Sequence, residues 1–159
     1  MIRVWLLALA VTCAAATAAP REAAPQFTAT TLDGQKFTNE TLKGKTVLLQ
    51  FWTTWAKYCP DDQPAVDAIA REFSGRGLVV LAVNVGESRE KVKAYLKQSP
   101  RACKIVLSGD TNLAAIFAAQ SFPRYVLIDK EGKVAGIQDG AGGEDSLRQF
   151  LRKAGLATE

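Results

Sequence analysis

Apolar residues recur along this chain in two rhythms. Thr46–Trp52 and Leu78–Val83 are nearly continuous apolar runs, the signature of strands covered on both faces. Ile105–Leu107 and Tyr125–Ile128 are shorter runs, the first predicting a third parallel strand. Between them the apolar positions lie three and four apart. Val66, Ile69, Ala70 and Phe73 give a buried stripe to a helix from Cys59 or Pro60 to about Phe73. Val92, Tyr95 and Leu96 do the same for Glu87–Gln98. Asp110 is suited to cap a helix reaching to about Gln120, and Glu144–Ala154 reads as the last helix. Upstream, Pro25–Thr38 predicts a β-hairpin turning at Asp33-Gly34, and Leu42–Lys45 closes a short turn before the first core strand. Downstream, Glu131-Gly132 turns the Tyr125–Ile128 strand into Lys133–Gln138. Alternating strands and helices followed by a terminal hairpin and helix predict an α/β fold, with a central mixed sheet flanked by helices.

Local chemistry sharpens some of these elements. Pro60 is tolerated only in a first helical turn, where its missing N–H is not needed. Asp61 and Asp62 suit the positive end of the helix dipole, and Pro64 predicts a kink. Asp139–Asp145 is rich in glycine and acid, but it lacks the ligand spacing of a calcium loop and reads as a flexible connector.

Composition fixes the scale and the compartment. A chain of 159 residues with 48% hydrophobic and 23% charged content fits one domain with an ample core. Met1–Arg3 gives a positive start, Val4–Val11 is apolar, and Ala16-Thr17-Ala18 fits a small-x-small cleavage rule. Residues 1–18 therefore read as a signal peptide, which implies a periplasmic or otherwise exported protein with its folded domain over 25–156. The apolar run is too short for a comfortable membrane span. A membrane tether would require either that this segment stays uncleaved or that Cys13 is lipidated. Cys13 lacks the preceding leucine and glycine or alanine of a lipoprotein signal. The net charge of +4 comes from scattered basic residues without interleaved aromatics, which argues against a nucleic-acid partner. Histidine is absent, which removes Cys–His and Ser–His nucleophile pairs and imidazole metal sites. Two separated cysteines, Cys59 and Cys103, make no zinc ligand set, so neither a metal nor a cofactor is expected.

The chemistry concentrates where the strand Thr46–Trp52 ends. There the chain reads Phe51-Trp52-Thr53-Thr54-Trp55-Ala56-Lys57-Tyr58-Cys59-Pro60-Asp61-Asp62-Gln63-Pro64, at the carboxyl end of a strand, where α/β folds place their ligands. This stretch resembles the active-site segment of thioredoxin-like proteins, especially the TlpA-like thiol–disulfide oxidoreductases. In that family two cysteines in Cys-x-x-Cys follow the second tryptophan, and a proline stands five residues after the second cysteine. Phe51, Trp52, Trp55, Cys59 and Pro64 match, whereas the first cysteine is replaced by Ala56. Pro25-x-Phe27, Asp33-Gly34 and Leu42-Lys43-Gly44-Lys45 resemble the opening of TlpA-like and redoxin domains. Pro123, before the strand Tyr125–Ile128, matches the family's cis-proline beside the active site, where backbone groups pair with an extended substrate chain. Phe122 is a departure, since smaller or β-branched residues are usual there.

The resemblance implies a thioredoxin-like fold with an N-terminal β-hairpin and a role in thiol–disulfide redox homeostasis. Its partners would be protein thiols and disulfides or small thiols. Cys59 falls in the resolving position, Ala56 marks the missing nucleophile, and Trp55, Lys57, Tyr58, Phe122 and Pro123 are the expected substrate-binding residues. With one thiol, the site is expected to be monothiol or catalytically impaired. The alternative is a non-catalytic binding module using the groove beside Pro123. Tyr58-Cys59-Pro60 also loosely resembles a peroxiredoxin segment, with Lys57 and Arg124 as candidates to lower the thiol pKa. Cys103 stands at the amino end of its strand and Cys59 beyond the carboxyl end of another, so no bridge between them is expected. Cys103 reads as a partly buried structural thiol.

Overall fold

Residues 19–156 are described by a computed structural model; the expected signal peptide, residues 1–18, and Cys13 within it lie outside them. Seven strands form one mixed sheet in the order β2-β1-β5-β4-β3-β6-β7. The strands are β1 (Thr28–Thr31), β2 (Lys36–Thr38), β3 (Thr46–Trp52), β4 (Leu78–Asn84), β5 (Lys104–Thr111), β6 (Arg124–Ile128) and β7 (Val134–Asp139). The helices are α1 (Cys59–Phe73), α2 (Arg89–Gln98), α3 (Leu113–Ile116) and α4 (Gly143–Arg152). β3, β4 and β5 run parallel, while β6 and β7 at one end and the β1–β2 hairpin at the other are antiparallel.

Every residue of β3 is buried, as its apolar run requires, and its side chains alternate between two cores. Leu48 and Trp52 face the side covered by α1 and α4, with Val66, Ile69, Phe73, Leu147 and Leu151. Val47, Leu49 and Phe51 face the other side, with Phe27, Phe37, Leu113 and Phe117. The hairpin turns as expected, with Gly34 at φ +85° and Thr28 opposite Thr38. α1 runs through Pro64 as one helix, and the peptide bond between Phe122 and Pro123 is cis.

Four expectations change. β5 extends well beyond Ile105–Leu107 because the hairpin pairs with it, Ala29 against Thr111 and Thr31 against Val106. Asp110 lies inside that strand and pairs with Arg89 at 2.7 Å, so it caps no helix, and α3 is a single turn after Asn112. α2 starts two residues later than predicted because Ser88 takes the cap, its hydroxyl accepting from Lys91 N–H, which frees Glu87 for another task. Residues 139–145 are not a free connector; the amides of Gly140, Gly142 and Gly143 are bonded, as described below.

Cys59 and Cys103 are both free and buried. Lys104, next to Cys103, is level with Leu81 and hence with Leu49, well before β3 ends at Trp52.

Candidate functional site

The turn between β3 and α1 is fixed by one carboxylate. Glu87, just past the end of β4, accepts hydrogen bonds from Thr54 N–H (2.7 Å), Thr54 Oγ1 (2.6 Å) and Asn84 Nδ2 (2.7 Å), and pairs with Lys91 at 2.7 Å. Burial pushes the Glu87 carboxyl up, but the bonds from Lys91, Thr54 and Asn84 outweigh it and hold the group down to about 2, from an ordinary 4.5. The unfolded chain takes up this proton near pH 4.5, whereas the folded chain refuses it until about pH 2. Its contribution to stability is therefore complete above about pH 4.5 and is lost as pH falls toward 2. Urea unfolding at pH 3 and pH 6 is expected to show this dependence in the wild type and a weaker one in Glu87→Gln.

Within the turn, Ala56 N–H donates to Thr53 Oγ1 at 3.1 Å, and Cys59 N–H donates to the Ala56 carbonyl at 3.2 Å. Positions 56 and 59 thus share one turn at the amino end of α1, the spacing of a two-thiol site. Trp55 is 66% exposed and meets Phe122 edge-on, with centroids 6.0 Å apart. Tyr58 is exposed beside it in sequence, with the Lys57 ammonium 5.3 Å from its ring. The expected binding residues therefore come as two contacts, Trp55 with Phe122 before Pro123, and Lys57 with Tyr58. Among the described residues neither the N–H nor the C=O of Phe122 has a hydrogen-bond partner, while the Pro123 carbonyl accepts from Gly140 N–H at 2.8 Å.

Cys59 itself is only 4% exposed. Burial pushes its thiol pKa up; the Thr53 backbone and the Arg101 charge oppose this, and Asp62 and Glu87 add to it. Neither Lys57 nor Arg124 supplies the stabilising charge expected of them. Lys57 lies on Tyr58, and Arg124 holds both oxygens of Asp139 at 2.7 and 2.8 Å. Cys103 is pushed up to about 11, by burial first. It is more enclosed than the partly buried thiol expected.

A buried polar chain runs across the fold near Cys59. Arg101 Nε donates to Asp67 (3.2 Å) and Arg101 Nη2 to Gln50 Oε1 (2.9 Å). Gln50 Nε2 donates to the Tyr125 hydroxyl (3.2 Å), which donates to Asp62 (2.8 Å). Asp62 also accepts from Gly142 N–H (3.2 Å) and Gly143 N–H (2.8 Å). Burial and the Asp62 charge push the Tyr125 hydroxyl far above its ordinary range, so it remains a donor. Among the described residues no group of three or more His, Cys, Asp or Glu side chains is placed to hold a metal ion.

A model of the AhpC/TSA family matches residues 20–137. The chain belongs to the AhpC/TSA family. Within it, a thiol-disulfide oxidoreductase ResA of Bacillus cereus is 31% identical over 130 residues, 82% of this chain and 75% of that one. ResA of Bacillus subtilis (strain 168) is 30% identical over 128 residues, covering 80% and 72%. The exposed lipoprotein thioredoxin Etrx1 of Streptococcus pneumoniae strain TIGR4 superimposes with TM-score 0.71 at 29% identity, over 81% of this chain and 99% of that one. A thioredoxin family protein from Chlorobium tepidum TLS gives TM-score 0.76 at 24% identity, over 87% and 99%, and shares the fold. This AhpC/TSA chain is thus a thioredoxin-like protein of the TlpA-like kind.

Three residues of the site escaped the sequence. Arg101 follows Ser99-Pro100 and reads as a surface loop, yet its guanidinium is buried and stacks 5.5 Å from the Trp52 ring. Glu87 reads as a helical surface residue. Gln50 carried a signal, being a polar side chain in the middle of an otherwise apolar, two-sided strand, where a buried amide needs partners.

Proposed function

We propose that this chain is an exported protein of thiol–disulfide redox homeostasis whose own turnover is impaired, with Cys59 as a single resolving-position thiol. One observation carries this reading. Ala56 occupies the position of the attacking thiol, while Cys59, one turn on, is buried with its thiol pKa raised. A disulfide-exchange cycle needs one thiol to attack and a second to release the partner. Here only the first half is available: the Cys59 thiolate attacks a partner disulfide, one sulfur joins Cys59, and the other leaves as thiolate. An external thiol must then free Cys59, taking the partner sulfur into a new disulfide. The names of the relatives, thiol-disulfide oxidoreductases, support protein thiols and disulfides as the partner class. The surface around Trp55, Phe122 and Pro123, the expected groove, would seat an extended partner segment on the open backbone groups of Phe122. Export is supported by the amino-terminal sequence and by the likeness to an exposed lipoprotein.

The same burial of Cys59 favours a second reading, a binding module that uses the groove without any exchange. A peroxidatic role is opposed by the raised thiol pKa and by Ala56 where that family has threonine. Peptide mapping by mass spectrometry after incubation with glutathione disulfide separates the first two. The expected product is a single glutathione adduct at Cys59, reversed by dithiothreitol, with no sustained insulin reduction. An unmodified Cys59 under conditions that label Cys103 overturns the monothiol role and leaves the binding module.

A further inference from the structure

We propose that Asp62 is a latch for the partner groove, capping α4 from a neighbouring helix and so fixing the 139–143 loop against Ser121–Arg124. The idea rests on the reading of that groove as the partner site. α4 has no side-chain cap of its own, because its cap position is Gly142. The first amides of a helix need acceptors, and a carboxylate at that end is favoured by the helix dipole. Asp62, 1% exposed and in the first turn of α1, supplies them for Gly142 and Gly143. The two glycines are required there. A Cβ on Gly142 would lie 2.5 Å from Ser146 Oγ, and Gly143 has φ +72°.

The direction of each bond is dictated from the two ends, Arg101 and the accepting Asp62 carboxylate. A guanidinium can only donate, so Gln50 must turn its oxygen to Arg101 and its NH2 to Tyr125. The single Tyr125 proton then goes to Asp62, which receives three donors. On its other side the loop holds the groove segment: Asp139 accepts from Arg124 and from Ser121 Oγ (3.2 Å), and Gly140 N–H donates to the Pro123 carbonyl. Phe122 is therefore presented on a segment anchored, through five loop residues, to the helix that carries Cys59. Asp62 acts through the loop as a positioning residue.

Amide hydrogen exchange by NMR tests this without any partner. Asp62→Ala is expected to speed exchange at Gly142 and Gly143 at least 10-fold, to spread the effect to Gly140, and to move the Trp55 indole resonance. The Leu49 amide in β3 serves as the reference for global stability. Asp62→Asn, which keeps an acceptor but no charge, is expected to rescue part of the protection. Tyr125→Phe, which removes one buried oxygen, is expected to give a several-fold smaller change in the same direction, and it carries the test if Asp62→Ala does not fold. Unchanged protection at Gly142 and Gly143 in folded Asp62→Ala, or in Tyr125→Phe where Asp62→Ala does not fold, overturns the latch. So does an Asn variant no better than Ala with its effect confined to α1, which would make Asp62 only a dipole charge. If the latch holds and the groove takes up no partner, the functional reading fails alone.

Discussion

Ala56→Cys is expected to raise turnover in a disulfide-reduction assay by at least about 10³-fold over the wild type, the scale on which a missing nucleophile is felt. The geometry for it is already built. The bond from Cys59 N–H to the Ala56 carbonyl closes a tight turn, which keeps the two Cα atoms within about 7 Å, close to the range a disulfide spans. A thiol introduced at position 56 would sit just before the amino end of α1, where the unpaired amides stabilise a thiolate. The mixed disulfide it forms would then be attacked from within the chain, where the effective concentration of Cys59 far exceeds that of any external thiol. The raised pKa of Cys59 suits the second role, since a resolving thiol needs to react only after the partner is attached. In the Ala56→Cys, Cys59→Ser double variant, release should stop and mixed disulfides with partners should accumulate. A wild type as active as Ala56→Cys would mean that the chain keeps its electrons elsewhere, and the account of Ala56 would fall.

Legibility in the sequence followed the distance over which each contact acts. β3 and β4 were readable because burial on both faces leaves an uninterrupted apolar run, and α1 because its stripe, Pro60 and acidic first turn are all local. The Pro123 segment was readable from its resemblance to known sites. The full length of β5 was not, because its second half is polar and becomes a strand only by pairing with a hairpin over 70 residues earlier in the chain. In sequence Asp62 reads as a dipole charge on its own helix, and the glycines at 142 and 143 as part of a flexible connector. Only the fold shows that 80 residues apart they are donor and acceptor of the same bonds. Arg101 was hidden for the opposite reason: a loop arginine is almost always solvated, and nothing near it in sequence announces the partners Gln50 and Asp67.

Asp67→Ala is expected to cost about 3–5 kcal/mol of unfolding free energy, the range for stripping the partner from a buried charge. Arg101 and Asp67 side chains are 2% and 6% exposed, and the pair is closed further by Ala102 N–H donating to Asp67 at 3.0 Å. Without Asp67 the guanidinium keeps only the neutral oxygen of Gln50 and the face of Trp52, and it cannot give up its proton. The comparison is Asp110→Ala, which breaks a shorter pair with Arg89, 2.7 Å against 3.2 Å, whose members are 34% and 41% exposed; there water replaces the lost partner and about 0–1 kcal/mol is expected. Urea unfolding with an unchanged slope measures both, and equal losses would show that burial of the Arg101 pair is not what matters. The replacement of both partners, Arg101→Met with Asp67→Leu, should recover most of the loss because no charge is then left to desolvate. What that double variant cannot recover is direction. Gln50 loses the donor that orients it, whereas Tyr125 still faces the Asp62 carboxylate, which can only accept, so exchange at Gly142 and Gly143 is expected to stay close to the wild type while the Gln50 side-chain amide exchanges faster.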